Sequence, residues 1–232
     1  MGKGAVVISI IIPAHNAGRF IKDTLDELKP IKNSQIIVVC NNCKDNTYEK
    51  VNQMKKKRKN IVNLNFPFYT GKGGAILRGF PYAKGNVIGF VDADNVFYIE
   101  DITKIISLTK KYDCVIASKW KGKNFSLVKQ SLKRRIYGRV WNFILKSLFN
   151  LDFKDTQAGL KFFRKKVIDR IDKDFTCIGF EFDAELLWKI KKAGFTIHEV
   201  AAGLRKAEKS TLWTISTVPM LWNLVKLRIR LL

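Results

Sequence analysis

Short β-branched runs alternate with helix-forming stretches through the first half of the chain, and this alternation restricts the fold more than any other feature. Val7–Ile12, Gln35–Cys40, Ile61–Phe66, Asn86–Val91 and Asp113–Ser118 are apolar, brief, and closed by polar or glycine-containing residues. They are predicted to be buried strands. Between them, Gly18–Leu28, Asp45–Lys57, Gly73–Tyr82 and Ile99–Lys110 are patterned as helices. Strand followed by helix, repeated, builds a parallel sheet covered on both faces. Ligands in such sheets bind outside the carboxyl ends of the strands, so the residues after each strand are where chemistry is expected.

After Ser118 the alternation stops. Between Asp113 and Asp152 there is no acidic residue and nine basic ones. Ile136, Val140, Phe143 and Ile144 fall there at helical spacing, with Arg135 and Arg139 on another face. Leu160–Arg164 and Thr196–Ala201 are predicted strands, and Phe182–Ala193 a helix. The chain closes with sixteen uncharged residues, Ser210–Val225, followed by Lys226, Arg228 and Arg230. With no repeat and no low-complexity linker, the expectation is one domain over residues 1–210, including an interfacial helix at about 129–149, and a membrane-associated segment over 211–232.

The 232 residues carry 43 Lys and Arg against 20 Asp and Glu, a formal charge of +23. Such a field requires anionic partners: nucleic acid, anionic lipid, or phosphorylated substrates. Cys40 and Cys43 form a lone C-x-x-C with no second pair, and His15 and His198 are distant in sequence, which argues against zinc. The apolar start leads directly into Pro13 and a polar loop rather than a cleavage site, so a cytoplasmic location is expected.

Two strand-end motifs carry chemistry. Asp92-Ala93-Asp94 follows a strand, and two carboxylates flanking one residue there can reach one hard cation, Mg²⁺ or Mn²⁺, leaving positions open for diphosphate oxygens. Thr70-Gly71-Lys72-Gly73-Gly74 opens a helix but is neither a Walker A loop nor a dinucleotide fingerprint. It either approaches a phosphate closely or is a tight turn with a solvated lysine.

Taken in order, Pro13-Ala14-His15-Asn16, Cys40-Asn41-Asn42-Cys43-Lys44-Asp45-Asn46-Thr47, Gly71-Lys72-Gly73, Asp92-Ala93-Asp94, Asp155-Thr156-Gln157-Ala158-Gly159 and Phe180-Glu181-Phe182-Asp183-Ala184-Glu185 resemble the family 2 glycosyltransferases of GT-A fold, and among them the polyprenyl-phosphate (dolichyl-phosphate) hexose synthases. The resemblance spans about Val7 to Ser210. It implies a Rossmann-like α/β fold with a mostly parallel sheet and C-terminal amphipathic helices. It also implies an inverting transfer of glucose or mannose from a UDP- or GDP-hexose to a polyprenyl phosphate. By the same resemblance Pro13, Ala14, His15, Ala17, Asn41, Lys72, Gly73, Asp92, Ala93, Asp94, Arg205 and Lys209 bind the donor, and Asp92 and Asp94 hold the metal. Asp94, Asp155 and Asp183 are the catalytic candidates, while Lys119, Arg134, Arg135, Arg139 and Gln157 face the acceptor. The family usually has Glu at the Ala17 position and an Asp pair at Cys40-Asn41, so base recognition here departs from its pattern. Val96 stands where some relatives add a Gln ligand, leaving the metal shell to diphosphate, water or Asn95.

Guanidinium groups suit an anionic phosphate nucleophile, and equally suit lipid headgroups. Asp183 at a helix start is either a general base or an ordinary acid favoured by the helix dipole; an ionised phosphate acceptor has little need of a base. The closing segment is short for a span and contains Pro219, so a helix lying on the cytoplasmic face of a membrane is expected. Two other functions compete: a family 2 enzyme acting on a glycan or protein hydroxyl, and a basic nucleic-acid-binding module. The second leaves the ordered carboxylates unexplained, and no nucleic acid partner is expected.

Overall fold

A computed structural model of the chain describes residues 7–121, 132–205 and 217–230. Among these residues seven strands form one sheet: β1 (Ile8–Ala14), β2 (Ser34–Asn41), β3 (Ile61–Phe66), β4 (Val87–Val91), β5 (Cys114–Ser118), β6 (Leu160–Arg164) and β7 (Ile197–Ala201). Their spatial order is β3-β2-β1-β4-β6-β5-β7. β1 pairs in parallel with β2 and β4, as do β2 with β3 and β5 with β7. β6 runs antiparallel to both neighbours, with Leu160 opposite Val91. The mostly parallel α/β architecture expected from the sequence is therefore present, with one reversed strand. The reversal positions the site: residues preceding β6 arrive at the same sheet edge as residues following β4.

The helices are α1 (Ile21–Glu27), α2 (Thr47–Lys57), α3 (Gly71–Gly79), α4 (Ile99–Leu108), α5 (Leu132–Phe149), α6 (Lys165–Arg170), α7 (Phe182–Lys192) and α8 (Thr217–Arg230). Side chains alternate across the strands. Ile10 and Ile12 of β1 join one core with Leu25, Val51 and Ile102, beneath α1, α2 and α4. Ile11 enters a second core with Ile76, Phe163, Leu187 and Leu224 on the opposite face. The predicted helix Gly73–Tyr82 divides into α3 and a 3₁₀ turn at Phe80–Tyr82, where Pro81 stops α-helical bonding. α6 was not legible in the sequence because six residues give too little periodicity to register.

Within α5 the buried side is Trp141, Leu145 and Phe149, whereas Ile136, Val140 and Phe143 are exposed. α8 buries Met220, Leu224 and Leu227 in the second core, and its Asn223 amide donates to Glu181 Oε1 at 2.8 Å. The described part of the segment 211–232 is thus packed on the domain rather than set apart from it. Among the described residues no helix is long and apolar enough to cross a membrane.

Candidate active site

Asp92 stands one residue beyond β4, and its N–H donates to the Gly159 carbonyl at 3.0 Å, extending the pairing of β4 with β6 into the loops. A Cβ at residue 159 would lie 1.7 Å from Asp92 Oδ2, so the last glycine of Asp-Thr-Gln-Ala-Gly exists to let that carboxylate close over the backbone. Ala93 is held by Thr24, whose hydroxyl donates to its carbonyl at 2.7 Å. Asp94 is half-buried. Asn95 points away: its amide donates to Glu27 Oε2 at 3.0 Å, and its Oδ1 accepts the Phe97 N–H at 3.2 Å. It is therefore not placed to complete a metal shell. Arg205 braces the same loop from behind, pairing with Glu27 and donating from its backbone to Val96 at 2.8 Å.

The carboxylates fit a divalent cation. Asp92 keeps 37% of its side chain exposed and already has an ammonium 3.0 Å from Oδ1. No group of three or more His, Cys, Asp and Glu suited to a metal occurs among the described residues. A cation on Asp92 and Asp94 would thus take its other ligands from donor oxygens and water, as Mg²⁺ does at phosphate sites.

That ammonium belongs to Lys72, which also lies 3.2 Å from Asp183 Oδ2. Asp183 is completely buried, and its Oδ1 lies 2.7 Å from Lys161 Nζ. Lys161, completely buried in the middle of β6, donates to the Ala158 carbonyl at 2.6 Å. Phe90 lies beneath both ammonium groups, at 5.5 and 5.4 Å. Burial pulls the Lys161 ammonium below its ordinary pKa despite Asp183. At Lys72 burial acts in the same sense, but Asp183 and Asp92 outweigh it and hold the ammonium above its ordinary value. Lys161 is a site residue that the motifs missed. Its signal was a lone lysine inside Leu160-Lys161-Phe162-Phe163, since a charge in a buried strand has to be paired.

The glycine loop is tied to residues 178–179. Gly73 N–H donates to Gly179 O at 3.2 Å and Gly74 N–H to Ile178 O at 3.0 Å, so these helix-start donors are already engaged. A Cβ on Gly73 would meet Phe182 at 2.3 Å, and Gly71 has φ +71°. The glycines let α3 abut residues 178–182, which aligns Lys72 with Asp183.

At the ends of β1 and β2, His15 Nδ1 donates to the Asn41 carbonyl at 2.8 Å, and its ring lies 4.7 Å from that of Tyr69. Pro13 and Ala14 close β1 beside them, and Ala17 is buried. The Asn41 amide oxygen accepts from Thr70 N–H at 3.0 Å and from its hydroxyl at 3.1 Å, while its NH₂ donates to Gly71 O at 3.0 Å. Both lone pairs of that oxygen are engaged within the protein, so Asn41 shapes the glycine loop instead of offering an acceptor to a base. Cys40 and Cys43 are free thiols; Cys40 Sγ donates to Asn63 Oδ1 at 3.5 Å and Cys43 Sγ to the Ala14 carbonyl at 3.4 Å.

Asp155 is buried and accepts the Lys119 N–H at 3.0 Å, with Lys119 Nζ at 3.7 Å. Its own N–H donates to Glu199 Oε1 at 2.8 Å, and burial raises that glutamic acid's pKa. Gln157, with its amide turned to suit its neighbours, donates to Phe180 O and accepts the Trp141 indole N–H, both at 3.0 Å. Thus Asp155 and Gln157 fasten the strand ends to α5 and to the 180 loop. Arg139 is exposed on α5. Lys209 and the side chains of Arg134 and Arg135 lie outside the described residues.

Residues 9–172 match the family described as Glycosyl transferase family 2. Glycosyltransferase AglD of Haloferax volcanii is 24% identical over 84% of this chain, which spans only 32% of that relative. A dolichyl-phosphate beta-glucosyltransferase of Dictyostelium discoideum is 28% identical over 98% of this chain and 75% of its own length. Among solved structures, glucosyl-3-phosphoglycerate synthase from Mycobacterium tuberculosis, in complex with Mn²⁺, UDP-glucose and phosphoglyceric acid, superposes with a TM-score of 0.71 at 16% identity, covering 97% of this chain and 80% of that one. With the strand-end carboxylates assembled at one sheet edge and the family match extending from β1 through α6, the chain belongs to glycosyl transferase family 2.

Proposed function

We propose that this protein transfers glucose from UDP-glucose to a polyprenyl phosphate, with Mg²⁺ or Mn²⁺ held by Asp92 and Asp94. The metal supplies a counter-charge to the diphosphate leaving group. The chain's own residues do the rest: Lys72 presents a cation beside Asp92, Gly159 and Thr24 fix the loop, and the 155–157 turn fastens the site to α5. The carrying observation is that Asp183 has no exposed surface and faces two lysines. A carboxylate closed to solvent and spanned by two ammonium groups is out of reach of an acceptor hydroxyl, which suits a nucleophile that arrives already ionised. The Dictyostelium relative bears the dolichyl-phosphate name over nearly the whole chain. Exposed Ile136, Val140 and Phe143 would lay α5 on the cytoplasmic face of a membrane, where a lipid phosphate is found.

A second function, glucosyl transfer to a hydroxyl of a small phosphorylated molecule, is favoured by the likeness in shape to the phosphoglycerate enzyme. One assay separates them. UDP-glucose and GDP-mannose are each offered with Mn²⁺ to polyprenyl phosphate in detergent and to 3-phosphoglycerate. Glucosyl lipid as the main product is the expected result; glucosylated phosphoglycerate would establish the second function, and mannosyl lipid would replace the donor.

A further inference from the structure

Four charged groups form a string at the site: Asp92, Lys72, Asp183 and Lys161, joined by contacts of 3.0, 3.2 and 2.7 Å. Their formal charges cancel. Lys161 and Asp183 are completely buried, and Lys72 keeps only 9% of its side chain exposed. The inner pair cannot be hydrated, so Asp183 stays fixed by Lys161 and in turn fixes Lys72. Lys72 is also hemmed in: the Phe90 ring lies below it, and its helix start is tied to Ile178 and Gly179. Its ammonium therefore stays beside Asp92 whatever that carboxylate binds.

We infer that Lys72 makes binding of the divalent cation conditional on the donor diphosphate. This rests on the assignment of Asp92 and Asp94 as the metal carboxylates. A cation about 2.1 Å from Asp92 Oδ1 would lie within about 5 Å of the Lys72 ammonium, which is 3.0 Å from that same oxygen. Metal alone would bring two positive charges to a site whose further anion is the Asp94 carboxylate, against the fixed like charge of Lys72. A nucleotide diphosphate brings the missing anions, and its oxygens take both the metal and the Lys72 ammonium as partners. Metal and donor thus bind as a unit, and the coupling is reciprocal. The lysine of the glycine loop acts as an electrostatic lock against cation without substrate.

The test is Mn²⁺ binding by the full chain, read from the paramagnetic resonance of free Mn²⁺ with and without UDP, which needs no turnover. Wild type should bind Mn²⁺ weakly alone and at least about tenfold more tightly with UDP, within the usual range of coupling between two sites. Lys72→Met should bind Mn²⁺ alone more tightly than wild type and lose most of the UDP enhancement. Lys72→Arg, which keeps the charge, should retain the wild-type pattern. Lys72→Gln serves as the neutral variant if the methionine does not fold. An unchanged or weaker affinity for Mn²⁺ alone in a folded neutral variant overturns the lock while leaving the metal site standing. If wild type binds no Mn²⁺ with either UDP or GDP, the metal assignment and the lock fall together.

Discussion

At residue 159 a single methyl group tests how Asp92 is held. Alanine would place its Cβ 1.7 Å from Asp92 Oδ2, and the carboxylate has to move. Gly159→Ala should therefore lower donor turnover by about 100-fold, the usual cost of a misplacement near 1 Å, and an assay of UDP-glucose consumption would read it. Asp183→Asn has a different signature. Removing the one anion between Lys72 and Lys161 leaves two buried ammonium groups facing each other, so unfolding stability should fall by roughly 3–5 kcal/mol. A surface base of the ordinary kind would cost activity alone, and chemical denaturation separates the two. The strand-end positions of Asp92 and Asp94 and the helix-start position of Asp183 were legible in the sequence because their motifs follow a strand or open a helix. The pairing of Asp183 was not, because it depends on Lys161, which comes from a strand reversed in the sheet. Asn41 and Asn95 likewise have amide partners that no motif announces, Thr70 for one and Glu27 for the other.

The seven strands among the described residues fall within a residue or two of the apolar runs that announced them, since a buried strand is marked by its β-branched or aromatic content. The direction of β6 was not legible, because periodicity carries no information about which sheet edge the chain has reached. The junction of β5, β6 and β7 is tied by Asp113. Its carboxylate lies 2.6 Å from Lys166 and 3.5 Å from Arg164, and it accepts the Thr196 hydroxyl at 2.9 Å. Burial acts to raise the Asp113 pKa, but hydrogen bonds from Lys166 and Thr196 outweigh it and set it at about 2. A carboxyl held lower in the folded chain than in the unfolded one stabilises above its unfolded pKa. That contribution is lost as pH falls from about 4 toward 2. Asp113→Asn should be less stable at neutral pH, and it should lose less of its remaining stability than wild type across that acid window. Thermal melts between about pH 7 and 2 measure both.

Among the described residues the molecule presents two apolar helix faces, under a large positive charge. Ile136, Val140 and Phe143 follow one another along α5, and Phe143 is 72% exposed; Trp222, Val225 and Ile229 stand out from α8. α8 itself is fastened, with Met220, Leu224 and Leu227 in the core, so its outward face is held in a fixed orientation. On the proposed function these faces enter the interfacial region of a bilayer, and basic residues such as Arg139, Lys226 and Arg228 meet its anionic lipids. The two contributions respond differently to salt. Charge attraction, roughly 1 kcal/mol for each basic residue near the surface, is screened at high ionic strength. Apolar burial is not. Replacing Ile136, Val140 and Phe143 together with Ser should weaken vesicle binding by at least about tenfold even at high salt, on neutral and anionic vesicles alike. Replacing Arg139, Lys226 and Arg228 together with Gln should weaken binding only to anionic vesicles and only at low salt. Flotation assays with both vesicle types at two salt concentrations give all the comparisons. If the serine variant binds as wild type does at high salt, α5 is not the surface that meets the membrane.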